Sequence, residues 1–269
     1  MWHDTQGQFI LHRCLCRTDR DGKPGGGVPV LGQNTDPAWM QSVAREMNLS
    51  ETAFIVREKD GFNLRWFTPR TEIDLCGHAT LAAAHILWEE GYLMEDEPAR
   101  FFTKSGTLSA ARAGHFIELD FPAVPEEPVP APAGLYSALG IQPCYTGKNR
   151  FDYLIEVASE REVRNIVPDI SGLSQIPMRG VIVTSRASTP GFDFVSRFFA
   201  PSVGINEDPV TGSAHCCLAP YWQKKIKKNM LTAYQASERV GILHLRLESL
   251  GRVTIGGAAV TVWKGLLQS

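Results

Sequence analysis

Residues 65–80 read Arg65-Trp66-Phe67-Thr68-Pro69-Arg70-Thr71-Glu72-Ile73-Asp74-Leu75-Cys76-Gly77-His78-Ala79-Thr80, and a later stretch, Arg197-Phe198-Phe199-Ala200-Pro201 followed by Gly212-Ser213-Ala214, echoes it. The glycine stands eight residues after the proline in the first stretch and eleven after it in the second. Both run from an apolar strand through a proline turn and a glycine into a helix of small residues, Thr80 to Trp88 and Cys216 to Trp222. An internal repeat of this kind predicts two similar halves.

The first of these helices shows what each half is built around. Ala79, Leu81, Ala82, Ala83, Ala84, Ile86 and Leu87 leave almost no polar stripe before Glu89, and a helix that is apolar all round is buried all round. Short strands are expected at 54–56, 63–67, 100–103 and 115–121, with helices at 37–47 and 78–91. Beyond them, strands are expected at 151–157, 180–184, 192–199 and 252–262, with helices near 135–139 and over 213–228. The fold class is therefore α+β, with a curled sheet wrapped around a central α-helix in each of two pseudo-repeated domains. Pro122, Pro125, Pro128, Pro130 and Pro132 crowd around Glu126-Glu127, a pattern that neither a helix nor a central strand tolerates. This places an N-terminal domain at 1–122, a linker at 123–133 and a C-terminal domain at 134–269, whose last strand is a candidate to return to the first domain.

Composition narrows the function classes. The chain has 269 residues, 43% of them hydrophobic, and a formal charge of −2, so it lacks the basic field that nucleic acid or anionic membranes select. Met1-Trp2-His3-Asp4 does not open a signal peptide, and no apolar run reaches the length of a membrane helix, so a cytoplasmic protein is expected. Six cysteines without C-x-x-C spacing read as reduced thiols. His215, Cys216 and Cys217 have metal-ligand chemistry, but consecutive helical positions point in different directions, and no metal is assigned. Gly25-Gly26-Gly27 lacks the spacing of a dinucleotide site, and neither a Walker A sequence nor a G-x-S-x-G elbow is present.

The candidate chemistry lies at the two helix starts, which carry unpaired N–H groups and partial positive charge. Gly77, Thr211, Gly212 and Ser213 are the candidate substrate-binding residues, although Thr211 and Ser213 are equally the residue types that simply cap a helix. His78 stands where the helix dipole disfavours its protonation, so a neutral imidazole facing substrate is expected. Asp208 precedes the second helix, where an acidic residue usually complements the dipole; in a poorly hydrated cleft it would exchange a proton instead. Glu51 leads into an apolar strand and need not face water, but a lone glutamate is more often a surface residue or a cap partner. Cys76 is either a packed thiol or, with its pKa lowered by the helix start, a nucleophile or base.

Three stretches together carry a resemblance. They are Met40 through Asn48-Leu49-Ser50-Glu51-Thr52-Ala53-Phe54; Arg65 through Cys76-Gly77-His78-Ala79-Thr80; and Arg197 through Glu207-Asp208-Pro209-Val210-Thr211-Gly212-Ser213-Ala214-His215. Over residues 39 to 269 the chain resembles the phenazine biosynthesis-like (PhzF) family, above all its animal members. The resemblance implies a diaminopimelate epimerase-like fold, with two β-barrels each enclosing a helix and the site in the cleft between them. It also implies a cofactor-independent and metal-free isomerase, a homodimer, that moves a proton within a small carboxylated substrate. Glu51 is then the acid/base residue, His78 and Asp208 share or orient the proton, and Gly77, Gly212 and Ser213 form the binding turns. The alternative is a catalytically idle member that serves as a protein-binding regulatory module. Residues 13–32 depart from the family pattern, so residues 1 to about 35 are expected to fit the fold poorly and to leave the first barrel short of strand pairing.

Overall fold

The computed structural model describes residues 9–17, 27–31, 36–49, 51–114, 116–238, 240–248 and 251–267. The chain divides into two compact units, one of residues up to Asp120 together with those from Gly256 onward, the other Phe121–Ile255. The first contains β1 (Phe9–Arg17), β2 (Gly27–Leu31), α1 (Pro37–Met47), β3 (Glu51–Glu58), β4 (Gly61–Phe67), β5 (Glu72–Ile73), α2 (Gly77–Glu89), β6 (Ala99–Thr103), β7 (Gly106–Ala113) and most of β8 (Phe116–Pro122). The second contains β9 (Glu127–Pro128), α3 (Leu135–Leu139), β10 (Tyr145–Lys148), β11 (Asp152–Glu156), α4 (Glu160–Asn165) and α5 (Ile170–Ser174). It continues with β12 (Gly180–Arg186), β13 (Phe194–Phe199), α6 (Gly212–Ile226), β14 (Met230–Gln235) and β15 (Gly241–Glu248), and the chain ends in the long strand β16 (Arg252–Leu267). The unit boundary falls inside β16, so its C-terminal part belongs with the first unit.

In the first unit the strand order is β1-β2-β3-β4-β6-β7-β8-β16, and β16 also pairs with β1, which closes the ring. The expectation that residues 1–35 leave this barrel short of pairing is corrected here. Phe9–Arg17 runs antiparallel along β16 from Leu267 to Ala258, and Gly27–Leu31 runs parallel to β3 from Glu51 to Ile55. The remaining residues of that segment, 1–8, 18–26 and 32–35, lie outside the described residues. A turn-rich composition between residues 17 and 27 did not prevent strands on either side of it. Helix α2 packs against β1, β2 and β3. Ala79, Ala82, Ala83, Ala84, Ile86 and Leu87 have no exposed surface, and burying Ile86 and Leu87 stabilises the unit by about 1.5–3 kcal/mol each. The approach is close, since a Cβ on Gly257 would lie 2.6 Å from Leu81 Cδ1 and the end of that side chain would have to shift.

In the second unit the order runs β15-β14-β13-β12-β11-β10-β9, antiparallel except for β11–β12 and β13–β14. Its core gathers Leu135, Leu139, Ile155, Val163, Leu173, Val181, Val183, Val195 and Phe199. Residues 123–133, read above as a linker, belong to this unit, and Glu127–Pro128 pairs with β10. Pro220 inside α6 explains one of their anchors. It has no N–H to donate to the carbonyl of Cys216, and that carbonyl instead accepts the N–H of Val124 at 3.0 Å. Strands β14 and β15 and helices α4 and α5 were not anticipated from the sequence. Among the described residues, no helix is long and apolar enough to cross a membrane.

Candidate active site

Glu51 is the first residue of β3, not part of the segment before it, and only 3% of its surface is exposed. The parallel pairing with β2 and the antiparallel pairing with β4 fix the backbone at that end of the strand. His78, the second residue of α2, places its Nε2 2.7 Å from Glu51 Oε2. Cys76 precedes the helix as its N-cap in extended conformation and gives it no side-chain cap, with Sγ 3.7 Å from His78 Nε2 and 3.8 Å from Nδ1. Three residues read separately from the sequence thus form one buried cluster.

The electrostatics of the cluster correct one expectation. Burial alone would lower the His78 pKa, but the neighbouring Cys76 sulfur and the Glu51 carboxylate outweigh it and push the imidazole well above its ordinary value. The dipole argument predicted a neutral ring, yet a carboxylate in hydrogen-bond contact outweighs a half-charge at a helix end. Burial pushes the Cys76 thiol up, and the charge of Glu51 adds to this. Burial and the Glu51 charge thus oppose the activated thiolate considered above, while His78 beside the sulfur favours it in part.

The second unit holds the other candidates. Asp208 is 8% exposed, and its Oδ2 accepts the hydroxyl of Thr211 at 2.7 Å. Gln235 ties the turn together: its Oε1 accepts the Thr211 N–H at 2.8 Å, and its Nε2 donates to the Asp208 carbonyl at 2.6 Å and to Thr211 Oγ1 at 3.1 Å. Thr211 is the N-cap residue of α6, but its side chain does not accept a helix N–H. Capping alone does not explain it, and its hydroxyl proton is directed at Asp208. Ser213 Oγ accepts from Arg179 Nη2 at 3.1 Å. Arg179 in turn grips the fully buried Asp152 with both arms, Nε to Oδ1 at 2.8 Å and Nη2 to Oδ2, and its guanidinium lies over the Phe151 and Phe198 rings. Because Ser213 Oγ is already an acceptor, its own proton can be donated elsewhere.

Gly77 and Gly212 open α2 and α6 as anticipated. Sequence reasoning missed Arg179, Asp152 and Gln235 as partners of the site residues. Only Gln235 lay in a recognisable motif, Gln235-Ala236-Ser237, and the Arg179–Asp152 pair is separated by 27 positions. His215, weighed above for its ligand chemistry, is engaged in packing: its Nδ1 bonds the Thr211 carbonyl at 2.7 Å and its ring stacks on Phe194. A different set does converge. The ligand atoms of Glu51, Cys76 and His78 lie within 4.8 Å of one another.

Comparisons with known proteins agree on one kinship. The family model described as phenazine biosynthesis-like protein, PhzC-PhzF, matches residues 20–265. An uncharacterized isomerase of Halalkalibacterium halodurans is 55% identical over 91% of this chain and 92% of its own. The human phenazine biosynthesis-like domain-containing protein is 38% identical over 96% of this chain and 98% of its own. The crystal structure of an Enterococcus faecalis protein of the PhzF family superposes with a TM-score of 0.87 at 39% identity, covering 97% of this chain and all of that one. The bacterial isomerase is thus more similar to this chain than the human protein is.

Proposed function

The chain belongs to the phenazine biosynthesis-like (PhzC-PhzF) family, and on that premise we propose that it is an isomerase that moves a proton within a small carboxylated substrate without a cofactor. The observation that carries this reading is the Glu51–His78 contact of 2.7 Å between two nearly buried side chains at the start of α2. Keeping two ionisable groups away from water is costly, and a proton-handling pair is what such a site supplies to chemistry.

In this reading Glu51 takes a proton from carbon next to the substrate carboxylate or a conjugated system and returns it at another position. His78 holds or shares that proton, and Asp208 orients the substrate. The N–H groups at the starts of α2 and α6, with the Ser213 hydroxyl, bind the anion and the charge that develops as the proton leaves. Acid/base catalysis of this kind contributes typically about 10²–10⁴ in rate.

The alternative, an idle protein-binding module, draws on Val260, Val262 and Trp263 of β16, which are 39%, 49% and 54% exposed. The buried acid/base pair weighs against it, since a surface module has no use for one. The test is to incubate the protein in deuterium oxide with a panel of small carboxylates and look for label at carbon. Incorporation into one class of substrate is expected. Absence of label across the panel, alongside saturable binding of a protein partner, would favour the module.

A further inference from the structure

We propose that Glu51, Cys76 and His78 form a binding site for a thiophilic divalent cation such as Zn²⁺, and that occupation of this site shuts off the protein. The set is one carboxylate, one thiol and one imidazole, the donor types that zinc prefers. All three side chains are nearly buried, which removes most of the competition from water.

Two of the three ligand separations are close to what coordination needs, and the third, from Glu51 to Cys76, is within 4.8 Å. Tetrahedral zinc, with Zn–N about 2.0 Å and Zn–S about 2.3 Å, places its nitrogen and sulfur ligands roughly 3.5 Å apart. Cys76 Sγ and His78 Nε2 are 3.7 Å apart. A nitrogen and an oxygen ligand should be separated by about 3.3 Å, whereas His78 Nε2 and Glu51 Oε2 are 2.7 Å apart. They need only open by about half an ångström when the proton between them is replaced by the ion. Three protein ligands leave a fourth tetrahedral position for water or substrate, as in an open zinc site.

Binding stands on this geometry alone. Inhibition rests on the proposed function, because the ion would occupy the lone pairs with which Glu51 and His78 handle the proton. The cation is therefore an antagonist of the reaction and not its cofactor. Cys76, given no step in the isomerisation, acquires a role as the soft ligand that makes zinc or cobalt preferred over magnesium.

The test uses Co²⁺ and Zn²⁺ as probes on the full chain. Co²⁺ should bind one ion per chain with a sulfur-to-cobalt charge-transfer band and the visible bands of a tetrahedral ion, and Zn²⁺ should displace it. Cys76→Ser should abolish the charge-transfer band and weaken Zn²⁺ binding by about 100-fold or more, since loss of even a supporting contact costs 10–100-fold. Cys144→Ser, at an exposed thiol, should leave both unchanged. Circular dichroism of each variant guards against misfolding. A one-to-one Co²⁺ complex whose band survives Cys76→Ser would overturn the site. So would failure to bind in a protein whose label exchange still depends on Glu51, and that result would leave the isomerase reading standing. Binding with the expected band, together with undisturbed label exchange, would overturn the inhibition and the reading of Glu51 and His78 at once.

Discussion

Asp152→Asn is the substitution whose cost follows most directly from the structure of the second unit. Asp152 has no exposed surface, whereas the Arg179 side chain that grips it is 28% exposed. Removing one partner of a fully buried pair costs about 3–5 kcal/mol, because the other charge is left buried and unpaired. Partial exposure of Arg179 lets water take up some of that charge, and asparagine keeps one oxygen as an acceptor, so the expected loss is about 2 kcal/mol. For a unit of this size that corresponds to roughly 6 °C in melting temperature. Thermal and urea denaturation followed by fluorescence would measure it. Replacing Arg179 by Met in the same chain should recover part of the loss, because the stranded charge is gone. An Asp152→Asn variant that melts within about 1 °C of the parent would refute the reasoning, as would a double variant whose loss is the plain sum of the two single ones.

Two further predictions concern pH, with windows that separate. Burial opposes the charge of Glu160, but its carboxylate accepts from Thr189, Arg164 and Ser188, which lowers its pKa to about 2. Its folded-state value lies below its unfolded one, so its stabilisation is complete above the ordinary carboxylate range and is lost as pH falls toward about 2. Glu160→Gln should cost about 2–3 kcal/mol at neutral pH and flatten the acid arm of a stability–pH curve. Burial lowers the His215 pKa to about 4, despite its bond to the Thr211 carbonyl. The unfolded chain then binds the extra proton first, and stability declines as pH falls from about 6.5 toward the folded value. His215→Gln should remove that decline; an unchanged profile over that range in urea melts would show that the ring is not held neutral. Gly180→Ala should destabilise the second unit by about 1–3 kcal/mol, because its Cβ would lie 2.4 Å from Phe198 Cζ and 3.0 Å from the Phe199 carbonyl.

How far the sequence carried the account depended on whether a signal was local. The α2 and α6 helices were legible because glycine starts and unbroken apolar faces are properties of consecutive residues. Strand β15 carried an available signal that went unread, with Leu243 and Leu245 inside and His244 and Arg246 outside. In β14 the pattern is obscured, since its buried positions are Leu231, Ala233 and the polar Gln235, which is kept inside by the Asp208–Thr211 turn. Residues 9–17 form a strand because β16 is long enough to reach them, a partner more than 240 positions away. At the candidate site, Glu51, His78, Asp208 and Ser213 were singled out through motifs. Their partners Arg179 and Asp152 were not, because ion pairs between distant segments leave no mark in spacing. The charge of His78 was misjudged for the same reason: the helix dipole is local, and the carboxylate that outweighs it arrives from 27 residues earlier.

The central claim is that the Glu51 carboxylate carries the proton, and the most direct measurement is the rate of solvent-deuterium incorporation by Glu51→Gln beside the parent protein. The substituted side-chain amide would keep an acceptor oxygen for His78, so the fold should persist at some cost in melting temperature, while exchange falls by about 10²–10⁴. A folded Glu51→Gln protein that exchanges label at the parental rate would contradict the account.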